Sequence, residues 1–173
     1  MSLPETITDF QLFVDGVGLL GKTPEVKLPA IREIFEEEDL PGAATAQRVY
    51  MDMLEKLEAE FTLRGMDPTT LGLFGKDDVL FTFRGALKHS GGGNTGDAVV
   101  AHITGRLYDT EMDGVTRKAL TSYKCMIDVT HYKLMRGGNV IVEVAADGSV
   151  MRFGDRDARG WVNDAIGHTG ATI

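Results

Sequence analysis

The 173-residue chain has little of several features, and each scarcity excludes a class of protein. It contains a single cysteine, Cys125, so no disulfide can form within the chain, and we expect a reduced thiol in the core. No stretch reaches the roughly 18 consecutive apolar residues that a membrane-spanning helix requires. The basic segment followed by an apolar run that marks a secretory signal is also missing from the first residues, so we expect synthesis in the cytoplasm and no membrane insertion.

Basic residues are scarce relative to acidic ones. Eighteen Lys and Arg face 26 Asp and Glu, which gives a formal net charge of −8 and a pI near 5.0. Such a chain repels nucleic acid unless a basic patch is segregated on one face, and the sequence shows no such patch. The hydrophobic content of 43% is ordinary for a folded protein. We therefore expect one domain over residues 1–173.

Alternation of apolar and polar residues with period two is present instead, and it predicts strands. The clearest run has Val79, Phe81, Phe83 and Leu87 on one face and Thr82, Arg84 and Lys88 on the other. Similar runs cover residues 99–108 and 119–129, and a change of face at Tyr132 predicts a β-bulge near Thr130. Hairpin turns are predicted at Asp15-Gly16, Gly137-Gly138 and Asp147-Gly148.

Only residues 68–75 have the signature of a short helix. Asp67 is a suitable N-cap, Pro68 can open the first turn and Gly75 can close it. The segment from Asp155 to Ile173 has apolar residues at helical spacing and is expected to form a docking helix or a C-terminal arm. The fold class is therefore all-β, a mainly antiparallel barrel or sandwich with one short helix.

Residues 26–65 are ambiguous when taken alone. Between Gln47 and Phe61 the apolar residues fit a helical stripe, and propensity favours helix. They also fit a strand with Met51, Met53, Leu57, Ala59, Phe61 and Leu63 on one face and Asp52, Lys56, Glu58, Glu60, Thr62 and Arg64 on the other. A chain of short strands accommodates a second strand more readily than an isolated helix, so we predict a long protruding hairpin over about 26–65.

Several short motifs suggest chemistry. GVGLLGKT, ending in Lys22 and Thr23, matches a phosphate-binding loop, but Pro24 opposes the helix that must follow it. A nucleotide-binding enzyme therefore stays an alternative only, beside a small β-domain binding module. DTEMDG at Asp109–Gly114 resembles the start of a calcium loop, yet the twelfth position is Leu120. The four histidines are dispersed, so we expect no catalytic residue, metal or cofactor.

The order and spacing of these segments resemble the major tail tube protein of contractile-tailed bacteriophages and R-type pyocins. The resemblance covers most of the chain, and the segments that carry it are LFVDGVGLLG (12–21), Leu28-Pro29, LEKLEAEFTLRG (54–65), LGLFG (71–75), FRGALK (83–88), VVAHITGRLYDTEMD (99–113) and the hairpin at 131–144.

The resemblance implies a structural protein, not an enzyme, in which six-fold rings stack into a hollow tube within a virion tail. Its implied partners are further copies of itself, the sheath, tape measure, baseplate and tail terminator proteins, and double-stranded DNA that passes without specific binding. A pyocin tube that carries no DNA is the alternative within this class.

The resemblance and the charge pattern together give two sets of candidate site residues. The hairpin tip is assigned to contacts between rings, through Glu36, Glu37, Glu38, Asp39, Leu40, Pro41 and Gly42. The polar strand faces are expected to line the lumen, through Asp52, Lys56, Glu58, Glu60, Arg64, Thr82, Arg84 and Lys88. An acidic channel lets DNA slide because phosphate contacts would hold it.

Overall fold

The computed structural model describes residues 5–89 and 95–168, so the last residues of the predicted C-terminal arm, 169–173, lie outside the described part. The strands are β1 (Glu5–Val14), β2 (Val17–Gly18), β3 (Glu25–Lys27), β4 (Glu33–Glu38), β5 (Gln47–Leu54), β6 (Glu58–Arg64), β7 (Val79–His89), β8 (Gly96–Met112), β9 (Ser122–Arg136), β10 (Asn139–Ala145), β11 (Met151–Phe153) and β12 (Arg156–Asp157). The helices are α1 (Pro68–Leu71) and α2 (Gly160–Ala165). No helix among the described residues is both long and apolar enough to span a membrane.

The main sheet has ten strands, and its pairings are antiparallel. Its order is β12-β11-β10-β9-β8-β7-β1-β2, and β6 joins β9 and carries β3 on its other side. The prediction of an all-β antiparallel fold is therefore confirmed. The ladder does not close into a barrel within residues 5–89 and 95–168, because it ends at β12 and β2.

The sheet forks along β9. Residues 122–128 of β9 pair with β6, and residues 131–136 pair with β10. At the fork, the register with β8 shifts so that Thr104 faces His131 while Gly105 faces Val129. Thr130 is the extra residue, and its hydroxyl donates to the Thr104 carbonyl at 3.1 Å. The predicted bulge at Thr130 is confirmed, and it keeps both Val129 and Tyr132 buried on the core face.

The core lies inside the curl of this sheet. Leu63, Phe81, Ala101 and Cys125 have no measurable exposure, and the rings of Phe61 and Phe81 lie 6.0 Å apart across the core. The curl brings the segment after β2 against β6, where the Arg64 amide donates to the Lys22 carbonyl at 2.6 Å. The alternation in the sequence thus has its expected cause, since inward residues are apolar and outward ones are polar.

The predicted hairpin over residues 26–65 is present, but it consists of two sections. Its base pairs β3 with β6, and its outer section is a separate two-stranded sheet of β4 and β5, here called the arm (residues 33–54). Asp52, with φ of 50°, interrupts the alternation beside a register shift in the arm. Met51 and Met53 are consequently exposed, so the single apolar face predicted from Met51 to Leu63 is wrong before Leu57.

The local turn and helix chemistry agrees with the sequence in most places. Asp15-Gly16 and Gly137-Gly138 form two-residue turns with positive φ at all four residues. Asp67 caps α1 by accepting the Thr70 amide at 3.1 Å. Three expectations need correction. The helix ends at Leu71 with Gly72 as its C-cap, so Gly75 does not close it. The loop at Asp147-Gly148 is longer than two residues, and α2 is a second short helix.

Candidate assembly surfaces

The arm tip, residues 36–45, is exposed on both faces, and within the described chain it pairs with no strand other than β5. Glu36, Glu37 and Glu38 end β4, and Asp39 follows them. The turn at Leu40-Pro41-Gly42-Ala43 is closed by the Ala43 amide donating to the Leu40 carbonyl at 3.0 Å, with φ of 87° at Gly42. Proline at the second position and glycine at the third are what a type II turn requires.

One face of the arm carries an ordered aromatic and charged cluster. The rings of Phe35 and Tyr50 meet edge to face at 6.0 Å between centroids. The guanidinium of Arg48 lies 4.4 Å above the Phe35 ring, and its Nε donates to Glu37 at 3.2 Å. Aromatic residues and arginine are the types that dominate protein interfaces. An isolated two-stranded hairpin is marginal in water, and this one leaves Phe35 and Tyr50 exposed.

The outward face of β6 and β9 carries part of the predicted lumen set. The Glu58 carboxylate lies 3.1 Å from Lys56 Nζ and accepts the Tyr108 hydroxyl at 2.9 Å. The bond from Lys56 is the largest cause that lowers the pKa of Glu58, and the bond from Tyr108 is the second. Together they outweigh desolvation by burial, which raises this pKa. The bond to Glu58 also raises the pKa of Tyr108. Lys56 reaches Asp128 as well, at 3.8 Å, so its charge is shared by two carboxylates.

A second ion-paired group lies beside the first. The Glu60 carboxylate is 3.6 Å from Lys27 Nζ and 3.2 Å from Lys124 Nζ, and only 17% of its side chain is exposed. Three carboxylates on this face thus alternate with three lysines. We call this group, Lys27, Lys56, Glu58, Glu60, Lys124 and Asp128, the ionic lattice. It is balanced in charge rather than acidic.

The remaining predicted lumen residues fall into two groups. Arg64, Thr82, Arg84 and Lys88 lie on the same outward face, because their strand neighbours Leu63, Phe81 and Phe83 point into the core. Asp52 does not join them. It lies in the arm, and its backbone carbonyl accepts a hydrogen bond from Arg159 Nη1 at 3.2 Å.

The sequence match to a phosphate-binding loop has no corresponding structure. Asp15 and Gly16 form the β1–β2 turn, and the chain after Thr23 enters β3 where the motif requires a helix. Lys22 is paired with Asp67 at 3.3 Å. The structure therefore gives no support to a nucleotide site at Lys22 and Thr23.

The other chemically suggestive residues are held in structural roles. Burial raises the pKa of the Cys125 thiol to about 11, so it is not a reactive thiolate at neutral pH. Asp109, Glu111 and Met112 lie within β8 and form no calcium loop. Burial, followed by the charges of Lys133, Arg84 and His131, lowers the pKa of His102. Residues 5–89 and 95–168 hold no group of three or more His, Cys, Asp or Glu side chains placed for a metal.

Sequence reasoning missed two surfaces. The first is the cluster of Phe35, Arg48 and Tyr50. It could not be predicted, because the sequence of one strand does not show which residues of the partner strand lie opposite its own. The second is the loop 113–121: β9 begins at Ser122, three residues later than the alternation over 119–129 predicts, so this loop is long and carries exposed Val115 and Leu120. The run Val-Thr-Arg-Lys-Ala-Leu, apolar at its ends and basic in the middle, is the signal that could have indicated it.

Comparisons with known proteins agree with this architecture. The family model of phage tail tube protein FII matches residues 4–167. A chain of similar fold occurs in a cryo-EM structure of an extracellular contractile injection system, described as the PVC sheath/tube terminator in the extended state. The TM-score is 0.56 at 6% sequence identity, covering 77% of this chain and 97% of that chain, so the likeness is one of fold. A search of the curated proteins finds no match. Since the family model extends over nearly all of the chain, this protein belongs to the phage tail tube protein FII family.

Proposed function

We propose that this chain is the structural subunit of a contractile tail tube, in which hexameric rings stack into a hollow tube within the virion. The observation that carries the proposal is the arm. It is a two-stranded sheet that pairs with no other strand among the described residues and exposes Phe35, Val49 and Tyr50. Such surface is stable in water when it is covered, and membership of the tail tube family supports neighbouring subunits as the cover.

The open ends of the sheet support ring formation. A sheet edge with free backbone donors and acceptors invites pairing with another chain. The main path ends at two-residue strands, β2 and β12. In the described chain β2 pairs with only two of the ten residues of β1, so most of β1 has no outer neighbour, and β12 itself has none. Contact between neighbouring subunits in a ring protects these edges.

Passage of DNA is supported by the ionic lattice. A lysine that faces a channel binds phosphates when it is free, but each lysine of the lattice already lies within 3.6 Å of a carboxylate. The neutralised lysines of the lattice therefore offer DNA no point of attachment. The proposed further partners are the sheath, tape measure, baseplate and terminator proteins of the same particle.

A contractile particle without DNA is the second candidate. The observation that favours it is the solved chain of similar fold, which comes from an extracellular contractile injection system. The two candidates share the tube and differ in cargo. Particles purified with this tube and treated with nuclease distinguish them, because only a DNA-carrying tail protects DNA inside the particle.

Electron microscopy of the purified chain tests the tube itself. Wild-type protein is expected to form rings and tubes. In a matched variant, Asn-Gly replaces residues 36–49, so that a two-residue turn joins Phe35 to Tyr50, its partner in the native register. This variant is expected to keep the wild-type circular dichroism spectrum and to form no tubes. Tubes of normal length from the variant, or wild-type protein that stays monomeric at all concentrations, contradict the proposal.

A further inference from the structure

The loop between β8 and β9, residues 113–121 and here called the basic loop, has an unusual surface. Val115 is 76% exposed and Leu120 is 80% exposed, the two highest values among the large apolar residues of the described chain. Between them lie Arg117 and Lys118, both exposed and without an ion pair to any residue that the structure describes. Exposed apolar side chains on either side of unpaired cations are typical of a surface that binds a partner.

The basic loop is held in a defined place. The Asp113 amide donates to the Ser122 carbonyl at 3.0 Å, and the Ser122 hydroxyl bonds the Asp113 carboxylate. Its other end is fixed where the Gly65 amide donates to the Thr121 carbonyl at 2.8 Å. The loop is therefore anchored to the C-terminal end of β6. Hydrogen bonds at both ends of the loop therefore fix the position of its exposed residues.

The arm and the basic loop lie at opposite ends of β6. The arm leads into β6 at Glu58, and the strand ends at Arg64, beside the loop. Seven residues of strand separate the two ends by about 20 Å. A contact between opposite ends of identical subunits is heterologous, and it generates an open-ended stack when it repeats along an axis.

The two surfaces are complementary in chemistry. At the arm tip Glu36, Glu38 and Asp39 form no ion pair within the described residues, while Glu37 is paired with Arg48. Leu40, at the turn, is 44% exposed. The arm tip thus offers unpaired carboxylates next to an apolar residue, and the basic loop offers unpaired cations between two apolar residues. Such matched potentials set the register of association and favour encounter.

We propose that the basic loop of one subunit receives the arm tip of a second copy in the next ring. Glu36, Glu38 and Asp39 face Arg117 and Lys118, and Leu40 packs against Val115 and Leu120. This inference rests on the proposed function, because it assigns the receiving surface for the stacking arm of a tube.

Charge reversal tests the contact through tube growth. Arg117→Glu with Lys118→Glu, and separately Glu36→Lys with Glu38→Lys, are each expected to raise the protein concentration needed for tube growth about tenfold or more, since like charges then meet. All four changes in one chain restore attraction and return the threshold to within about threefold of wild type. Arg117→Lys with Lys118→Arg keeps the charges and is the matched control. The inference is overturned if either double variant forms tubes at the wild-type concentration, or if the variant with all four changes does not recover tube growth.

Cysteine cross-linking tests the same contact independently of tubes. Leu40→Cys with Leu120→Cys places one thiol on each surface, and the native Cys125 does not interfere because it is buried. On oxidation this double variant is expected to give a ladder of covalent head-to-tail oligomers. Leu40→Cys with Ile166→Cys, at a site 67% exposed in the wild type, is the control and gives no ladder. If wild-type protein forms no tubes but the ladder appears, the proposed function fails and the contact stands. If tubes form and the ladder is absent, the contact fails alone.

Discussion

Arg136 and His89 together join four strands at one end of the sheet through two shared carboxylates. From β9 it donates two bonds to Glu5 of β1, at 2.7 and 3.1 Å, and one to Asp97 of β8, at 2.9 Å. His89 of β7 lies between the same carboxylates, at 3.3 and 3.4 Å. The bonds from Arg136 are the main cause that lowers the pKa of Glu5 and of Asp97.

This cluster predicts a stability difference that depends on pH. Because both carboxyl pKa values are lowered from 4.5 and 3.8, the contribution of the cluster is present above about pH 4.5 and is lost as the pH falls through the lowered values. Arg136→Met removes the bonds and keeps most of the aliphatic stem. We expect its melting temperature to lie below that of wild type at pH 7 and the gap to narrow towards pH 3.

Thermal denaturation followed by circular dichroism from pH 7 to pH 3 measures this gap. Arg64→Met is the control, because Arg64 is exposed and forms no ion pair with the described residues. The difference in melting temperature between Arg64→Met and wild type is expected to stay constant from pH 7 to pH 3. A constant offset for Arg136→Met as well contradicts the role given to the cluster.

Residue-scale features could be predicted from the sequence where the chemistry is local. Asp67 before Pro68 is a capping signal, and Asp15-Gly16 specifies a turn, because each acts within a few residues. The ionic lattice could not be predicted in the same way. It joins Lys27, Glu60 and Lys124 across three strands, and its charges depend on a register that the sequence of one strand does not reveal.

At the scale of elements, the arm is positioned by the C-terminal segment. Arg159, just before α2, donates from Nη1 to the Asp52 carbonyl at the base of the arm. The backbone amide of Arg159 donates to the Asp157 carboxylate at 3.0 Å. The side-chain amide of Asn163 in α2 donates to the Gly148 carbonyl at 3.1 Å. The sequence predicted a docking helix or an arm in this segment but not its target, because that contact joins residues more than a hundred positions apart.

Arg159→Met is expected to loosen the arm without unfolding the body. The hydrogen bond to Asp52 is lost, which costs about 1 kcal/mol, while the buried core of the main sheet is untouched. Spin labels at Thr45→Cys and Asp164→Cys report the arm position, and we expect a broader distance distribution in the variant. Arg152→Met, in the neighbouring β11 and without a bond to the arm, is the control. Equal widths in both variants contradict the bracing role of Arg159.

At the scale of the whole molecule, the strands could be predicted because inward residues are apolar over long runs. The alternation in β7 and the bulge at Thr130 were readable, since a shift of face requires an extra residue. The fork of the sheet at β9 was not readable, because nothing in residues 122–136 shows that two different strands share its edge. The sequence thus predicted that the outward face is polar, but it did not predict that carboxylates and lysines are paired there in equal numbers in the ionic lattice.

That balance gives the last prediction, which places the ionic lattice in the channel of the tube. Glu58→Gln with Glu60→Gln removes two carboxylates and leaves Lys27, Lys56 and Lys124 without their closest partners there. We expect tubes of this variant, assembled with short duplex DNA, to retain the DNA at low salt and to release it as salt rises, because lysine–phosphate contacts are salt-dependent. Wild-type tubes are expected to retain none.

The measurement is co-sedimentation of DNA with tubes before and after nuclease treatment, which separates DNA inside the channel from DNA on the outer wall. Asp155→Asn with Asp164→Asn removes the same number of carboxylates near the C-terminal helix and is the matched control for net charge. DNA retained by the lattice variant and protected from nuclease supports a channel-facing lattice. DNA retained but digested places the lattice on the outside of the tube, and equal retention by the control attributes the effect to net charge alone.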